Sequence, residues 1–421
     1  MELSKSFESC LEEMERSPDH LFITGKAGTG KSTLLKYFAK ITSKKIAILA
    51  PTGIAALQAG GQTIHSFFGF PPRPLKADEI LVRKNTKIFE KLDLIIIDEI
   101  SMVRADMIDQ IDVFLRKNRK KISLPFGGCR MIFFGDLFQL PPVVASEEEK
   151  NNFKLYYNSP YFFSAQVLQN VKLQMIELHE VFRQKEKRFL QLLSSIRNGS
   201  LDYEDVEEIN ARYIPDFPRN EPLYITISAR NQTVNEINKS RLGELKSEEF
   251  LYLPEIKGEI KNEPMDSPLV LKEGAQVMFI KNDPQRKFVN GSIGIVSALG
   301  VDEVWVDLQS ENGNSVRIKV EKSVWEAVKY KEANTTIEPQ IVGTYSQYPL
   351  KLAWAVTIHK CQGNTFDRVI IDLKGGAFEA GQTYVALSRC RTLEGIVLTQ
   401  PLKPKDIIID PRIQDFYEQH R

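Results

Sequence analysis

One nonapeptide constrains this chain more than any other stretch: Gly25-Lys26-Ala27-Gly28-Thr29-Gly30-Lys31-Ser32-Thr33. It follows the apolar run Leu21-Phe22-Ile23-Thr24, which reads as a buried strand. It precedes Leu34-Leu35-Lys36-Tyr37-Phe38-Ala39, where apolar residues recur three and four apart, as on a helix. Gly-x-x-x-x-Gly-Lys-Ser between a strand and a helix is the setting of a phosphate-binding loop. Glycines let the backbone fold so that several N–H groups point into one concavity, and the helix start adds the positive end of its dipole. The pattern nominates Gly25, Ala27, Gly28, Thr29, Gly30, Lys31, Ser32 and Thr33 as nucleotide ligands. Lys31 would reach the β- and γ-phosphates, and the Ser32 hydroxyl would ligate Mg²⁺. A glycine-rich turn that meets the pattern by chance is the competing reading, and the flanking strand and helix weigh against it.

At 421 residues, the chain is long enough for two to four domains of roughly 150 residues each. Hydrophobic residues make up 42% and charged residues 26%, an ordinary globular balance with enough apolar mass for a core. The net charge of +1 offers no overall electrostatic sign of nucleic acid, so any such site must come from local clustering. Cys10, Cys129, Cys361 and Cys390 are dispersed with no C-x-x-C pair, which favours a reducing compartment and argues against structural zinc. No apolar run approaches the roughly 18 residues of a membrane span. The N-terminal stretch carries Glu2, Glu8, Glu12 and Glu13, unlike a targeting peptide. These features point to a cytoplasmic chain without a membrane partner.

Residues 3–16 show helical spacing of Leu3, Phe7, Cys10, Leu11 and Met14. Further buried strands read at Ile46–Ala50, Leu92–Ile97 and Arg130–Phe134, with a helix from Met102 to Leu115. Alternating strands and helices predict a doubly wound parallel sheet over about the first 170 residues. Pro71-Pro72-Arg73-Pro74 excludes helix and central strand. A second α/β unit reads from the strand Leu223–Ser228 and the helix near Asn231–Leu242. It resumes at Leu352–Val356, Val369–Leu373, the helix Thr383–Ser388 and Ile396–Leu398. Between them, from about Leu251 to Ile341, short alternating strands with turns at Asn290-Gly291 and Asn312-Gly313-Asn314 predict an inserted β-barrel module.

The third strand delivers Asp98-Glu99 at its carboxyl end, where ligands bind in an open parallel sheet. Asp98 is the candidate Mg²⁺ carboxylate and Glu99 the candidate for polarising the attacking water. Gln139, just past the fourth strand, has a neutral amide able to bond both water and a phosphate oxygen. Arg183 and Arg389, at the edges of apolar segments beyond the first α/β unit, are candidates for stabilising charge on a transferring phosphoryl group. By residue chemistry alone they also read as surface arginines. Thr63, His65 and Phe67 in one half, and Thr357, His359, Lys360 and Gln362 in the other, mix hydroxyls, a histidine and donors beside a helix start. Such groups suit contacts along a single strand, with Phe67, Phe68 or Phe70 available for base stacking. The competing reading makes the threonines helix caps and the aromatics core.

Taken together, these segments resemble superfamily-one DNA helicases of the 5′→3′ branch, most closely the Pif-type, RecD-like helicases. Residues 25–32 look like motif I, Ala50-Pro51-Thr52-Gly53-Ile54-Ala55-Ala56 like motif Ia, and Thr63-Ile64-His65-Ser66-Phe67 like the element after it. Ile97–Met102 is similar to motif II, Gly135–Pro142 to motif III and Val181-Phe182-Arg183-Gln184 to motif IV. Thr357–Thr365 is similar to motif V and Tyr384–Arg391 to motif VI. The resemblance implies two RecA-like doubly wound domains, with an inserted SH3-like β-barrel. The first domain would span 1–174 with a wedge-like insertion near 67–90, the second 175–250 and 342–421, and the module 251–341. It implies arginine fingers at Arg183 and Arg389, a nucleotide contact at Gly363, and DNA contacts at Pro51, Thr52 and Gly53. It implies ATP and Mg²⁺ as cofactors, and single-stranded and forked duplex DNA as partners, with G-quadruplex as a further candidate. A monomer, nucleoid-associated in a bacterium, with roles in repair, replication and telomere maintenance completes the picture. Residues 3–16 contain no glutamine, whereas the family usually reads adenine with one before motif I.

Two other readings compete. A P-loop kinase or switch NTPase predicts no second α/β unit, and residues 352–398 argue against it. An ATP-gated clamp or remodeller that occupies DNA without unwinding shares every motif with a motor.

Overall fold

The computed structural model describes residues 5–420 apart from 72, 145–146, 185, 219–220, 261–262, 266, 286, 310–314 and 334–335. The chain divides into two compact units: Met1–Phe182 with Glu326–Gly343 and Asp410–Arg421, and Arg183–Trp325 with Thr344–Ile409.

The first unit is built on β1 (His20–Gly25), β2 (Ile46–Ala50), β3 (Gln62–Thr63), β4 (Leu94–Ile97), β5 (Arg130–Phe134) and β6 (Leu173–Leu178). They pair in the order β3-β2-β4-β5-β1-β6, parallel throughout. Near-continuous apolar runs form the central strands because a parallel sheet is covered on both faces. Leu21–Ile23, Leu94–Ile97 and Met131–Phe134 are all buried. β5 lies between β1 and β4, so the loops that follow these three strands share one carboxyl edge. β6 lay hidden in the sequence because Gln174 and Glu177 interrupt its apolar pattern, yet it pairs with β1 along its whole length.

Helix α1 (Lys5–Arg16) and helix α2 (Lys31–Ile41) press Phe7, Cys10, Leu11, Met14, Leu34, Leu35 and Phe38 into one core with the sheet. The Arg130 guanidinium donates to Glu13 O at 2.9 Å, Met14 O at 2.5 Å and Asp19 O at 2.7 Å, satisfying carbonyls at the end of α1. At the neighbouring strand start, His20 Nδ1 accepts from Met131 N at 3.0 Å. Burial, helped by the Arg130 charge, lowers the His20 pKa to about 4. The unfolded chain therefore binds the proton first, and this contribution to stability is complete above the ordinary histidine range and lost as pH falls toward 4. Acidifying from pH 7 to 5 should remove about 2 kcal/mol from the first unit. In His20→Gln the acid-induced fall in Tm should be clearly smaller, and an equal fall in both proteins would contradict the assignment.

Two distant segments complete this unit. In the hairpin Ser323–Ala333/Thr336–Gln347, the Tyr330 hydroxyl accepts from Ile48 N at 3.0 Å, and Gln62 Nε2 donates to Val328 O. The last helix, Pro411–Gln419, is capped by the Asp410 side chain and buries Ile413, Phe416 and Tyr417.

The second unit contains β7 (Ile225–Ser228), β8 (Ala355–Thr357), β9 (Val369–Asp372) and β10 (Ile396–Leu398), parallel in the order β8-β7-β9-β10. The single strand expected at Leu352–Val356 is in fact divided. Leu350–Leu352 runs antiparallel to Gln276–Phe279, and Ala355–Thr357 joins the parallel sheet. A continuous apolar run carries no mark of where a chain changes sheets. Gln276 makes the junction, donating to Tyr224 O and Ala353 O and accepting from Leu223 N.

The antiparallel strands Ser315–Lys319, Glu303–Gln309, Ile293–Gly300, Gln276–Phe279 and Leu350–Leu352 pair in that order, with Leu269–Lys272 and Glu249–Tyr252 as a separate pair. The turn expected at Asn312-Gly313-Asn314 lies outside the described residues. No helix among the described residues is long and apolar enough to cross a membrane.

Candidate active site

The loop after β1 is shaped by contacts that exclude side chains. Gly25 has φ 152°, and a Cβ there would stand 2.5 Å from the Leu178 carbonyl oxygen of β6. Gly30 has φ +82°, and its Cβ would lie 2.9 Å from Phe7 Cζ. Thr29 N and Oγ1 both donate to Lys26 O, closing the turn. Phe182 N donates to Gly28 O at 2.9 Å and fixes the outer side. Lys31, Ser32 and Thr33 form the first turn of α2, so their backbone N–H groups face the loop at the positive helix end. Lys31 Nζ donates to Gly25 O at 2.6 Å and Lys26 O at 3.0 Å.

Asp98 and Glu99 follow β4. Asp98 N donates to Leu49 O at 2.9 Å, and Asp98 Oδ1 accepts from Glu99 N at 2.9 Å. Burial pushes the Asp98 carboxyl above the ordinary range, while the Glu99 N–H and the Lys31 and Lys36 charges pull it back. Glu99 adopts φ 52°, ψ 45°, a left-handed conformation that costs a non-glycine residue about 1–2 kcal/mol. The turn re-aims the chain directly after the buried strand. After β5, Asp136 is 1% exposed. Its Oδ1 accepts from Phe138 N at 3.3 Å and its Oδ2 from Gln139 Nε2 at 3.4 Å. The three loops thus present a glycine-rich loop at a helix start, two carboxylates and an oriented amide along one sheet edge. Ser32 and Asp98 offer the hard oxygen donors that suit Mg²⁺.

In the second unit, Arg183 and Arg389 come together. Arg183 Nη1 donates to Ser388 O at 3.4 Å, and Gln184 Nε2 donates to Ser388 O and Cys390 O, each at 3.0 Å. Arg389 is 1% exposed. It donates to Val385 O at 3.0 Å, Asn364 O at 3.4 Å and Ser388 Oγ at 2.8 Å. Gly363, at φ +80°, sits in the same loop as Asn364. Burial raises the Cys361 thiol to about 11, so it stays protonated and inert beside these arginines.

The residues expected to meet nucleic acid divide. Thr63 accepts from Ser66 N as a helix cap, the role weighed for it in the sequence, and Thr52 caps its own helix by accepting from Ala55 N; Thr357 accepts from Lys360 N in a turn instead of capping a helix. Pro51 and Gly53 flank Thr52 at the start of its helix, and Lys360 follows His359 in the loop after β8. Burial lowers the pKa of both His65 and His359, so neutral rings face any strand there. Base stacking by Phe68 and Phe70 is corrected. Phe68 is fully buried and Phe70 is 7% exposed. The two rings stack at 5.4 Å and both pack edge-on against Phe114. Phe67 is half-buried against Phe68, Phe89 and Tyr330. In the insertion, Arg73 pairs with Glu79 at 2.6 Å, and Lys117 Nζ ties down Ala77 O and Ile80 O; Pro72 lies outside the described residues.

Residues 2–207 match the PIF1-like helicase family. Over 432 aligned residues the chain is 34% identical to the ATP-dependent DNA helicase Pif1 of Bdellovibrio bacteriovorus, covering 100% of this chain and 92% of that protein. The chain belongs to the Pif1-like helicase family. The crystal structure of Bacteroides sp Pif1 in complex with ADP-AlF4 superimposes with a TM-score of 0.91 at 36% identity, covering 100% of this chain and 97% of that one. Bacteroides Pif1 bound to ssDNA gives a TM-score of 0.71 at 38% identity, with the same coverage.

Within this Pif1-like chain, three residues escaped the sequence as candidates. Asp136 orients Gln139, and Gln184 holds the backbone on either side of Arg389. Phe182 is 55% exposed with its ring edge-on to Phe7 beside the loop. Gln184 and Asp136 were detectable as polar residues beside apolar runs, but their partners were not.

Proposed function

We infer that this protein is an ATP-dependent DNA helicase that moves 5′→3′ on single-stranded DNA and separates forked duplex. The observation that carries this reading is the convergence of Lys31, Asp98-Glu99 and Gln139 at one edge of a parallel sheet, in a chain aligned end to end with an ATP-dependent DNA helicase. The phosphate loop and Lys31 hold the triphosphate, Glu99 takes the proton of the attacking water, and Gln139 orients that water against the γ-phosphate. Ser32 and Asp98 would hold Mg²⁺, which would supply neutralisation of phosphate charge. Phe182 offers a ring face to the purine, in place of the missing glutamine. Arg183 and Arg389 supply transition-state charge, and Gly363 a backbone contact. Pro51, Thr52, Gly53, Thr63, His65, Phe67, Thr357, His359 and Lys360 contact the strand. We read the domains as RecA-like, with the β module over 251–341 as SH3-like. We place the monomer in the cytoplasm or nucleoid, with G-quadruplex as a further substrate.

The deciding experiment measures ATP hydrolysis and strand separation on 5′-tailed and 3′-tailed duplexes, with Lys31→Ala as the inactive control. Unwinding confined to the 5′ tail, and lost in Lys31→Ala by about 100-fold or more, is the expected result. DNA-stimulated hydrolysis with no strand separation on either tail would instead establish an ATP-gated clamp.

A further inference from the structure

We propose that Tyr417, far in sequence from the phosphate loop and Gln139, is a positioning residue for ATP hydrolysis; this rests on the nucleotide reading above. Its hydroxyl shares a buried 2.5 Å hydrogen bond with Thr24 Oγ1 across 393 residues of chain. Thr24 is the last residue before Gly25 and is fully buried. The Tyr417 ring packs on Phe138 with centroids 5.1 Å apart, and Phe138 immediately precedes Gln139. One side chain therefore touches both the end of β1, from which the phosphate loop departs, and the loop that carries the amide.

The two loops follow β1 and β5, which are paired neighbours, but their tips leave the strands and lose the ladder that would hold them in register. Asp136 orients Gln139 from within its own loop; Tyr417 ties that loop to Thr24, the β1 residue next to the point where the phosphate loop departs. Its own helix is anchored firmly enough for the task. Phe416 stacks on Phe163 at 4.4 Å, and Arg412 Nη1 donates to Asn158 O at 3.1 Å. Misplacing a catalytic group by about 1 Å lowers turnover by up to about 100-fold without removing any ligand. A slackened Gln139 should therefore appear in kcat rather than in KM.

The test uses the full chain with saturating single-stranded DNA, measuring kcat and KM for ATP alongside Tm. Tyr417→Leu should lower kcat about tenfold with KM within about twofold, and Tyr417→Phe, which keeps the ring on Phe138 but loses the bond to Thr24, should recover only part of that loss. Phe416→Leu removes a comparable ring from the same helix, away from the Gln139 loop. It should lower Tm at least as much while keeping kcat within about twofold. The proposal is overturned if Tyr417→Leu lowers only Tm, or if Phe416→Leu lowers kcat equally. Gln139→Ala separates the two readings: unchanged kcat there would overturn the nucleotide reading and this inference together. A large loss there with normal kcat in Tyr417→Leu would overturn this inference alone.

Discussion

Glu99→Gln should reduce ATP turnover by about 10²–10⁴-fold while nucleotide affinity stays within a few-fold. The exchange keeps side-chain size and leaves Lys31, Ser32 and the glycine geometry untouched, so the cradle should still bind. What disappears is a carboxylate able to take a proton from water. The left-handed backbone at Glu99 points the same way, because a residue held in a strained conformation after a buried strand is being aimed. Steady-state hydrolysis with single-stranded DNA, paired with fluorescent nucleotide titration, checks both halves. Normal turnover in Glu99→Gln would move the base elsewhere.

Arg389→Ala should lower turnover by about 10³-fold or more, the scale on which arginine fingers act. Arg389→Lys should recover little, since an ammonium cannot reproduce a planar fork. The structure adds a condition. Arg389 is buried and bonded to Val385 O, Asn364 O and Ser388 Oγ, so contact with a phosphate would require it to exchange some of these partners. Truncation also strands buried acceptors and should cost about 1–3 kcal/mol of stability. Measuring Tm together with turnover per folded molecule separates the effects. A loss of activity no larger than the loss of folded protein would leave Arg389 a structural residue.

The candidate nucleotide site was legible because its chemistry is local. Gly25 to Thr33, Asp98-Glu99 and Gln139 each lie within a few residues of an apolar strand, and such a strand advertises itself by composition alone. The nucleic-acid side was less legible. Phe68 and Phe70 have the same residue type as a stacking platform, but their partner Phe114 comes from a separate helix, so only three-dimensional packing shows that their faces are already covered. The segment expected at 352–356 failed similarly, because the sheet change depends on Gln276, more than seventy residues earlier.

The amino-acid order by itself determined the family, the strand–glycine-rich loop–helix around Gly25–Thr33 and the central strands of the first parallel sheet, since backbone torsion preferences and apolar periodicity act over short spans. Only the tertiary structure decided that β6 flanks β1, that Tyr330 and Tyr417 return to the first unit, and that Arg389 is buried. Each of these depends on contacts between residues far apart in the chain, whose energies come from burial and hydrogen bonding that no local pattern encodes.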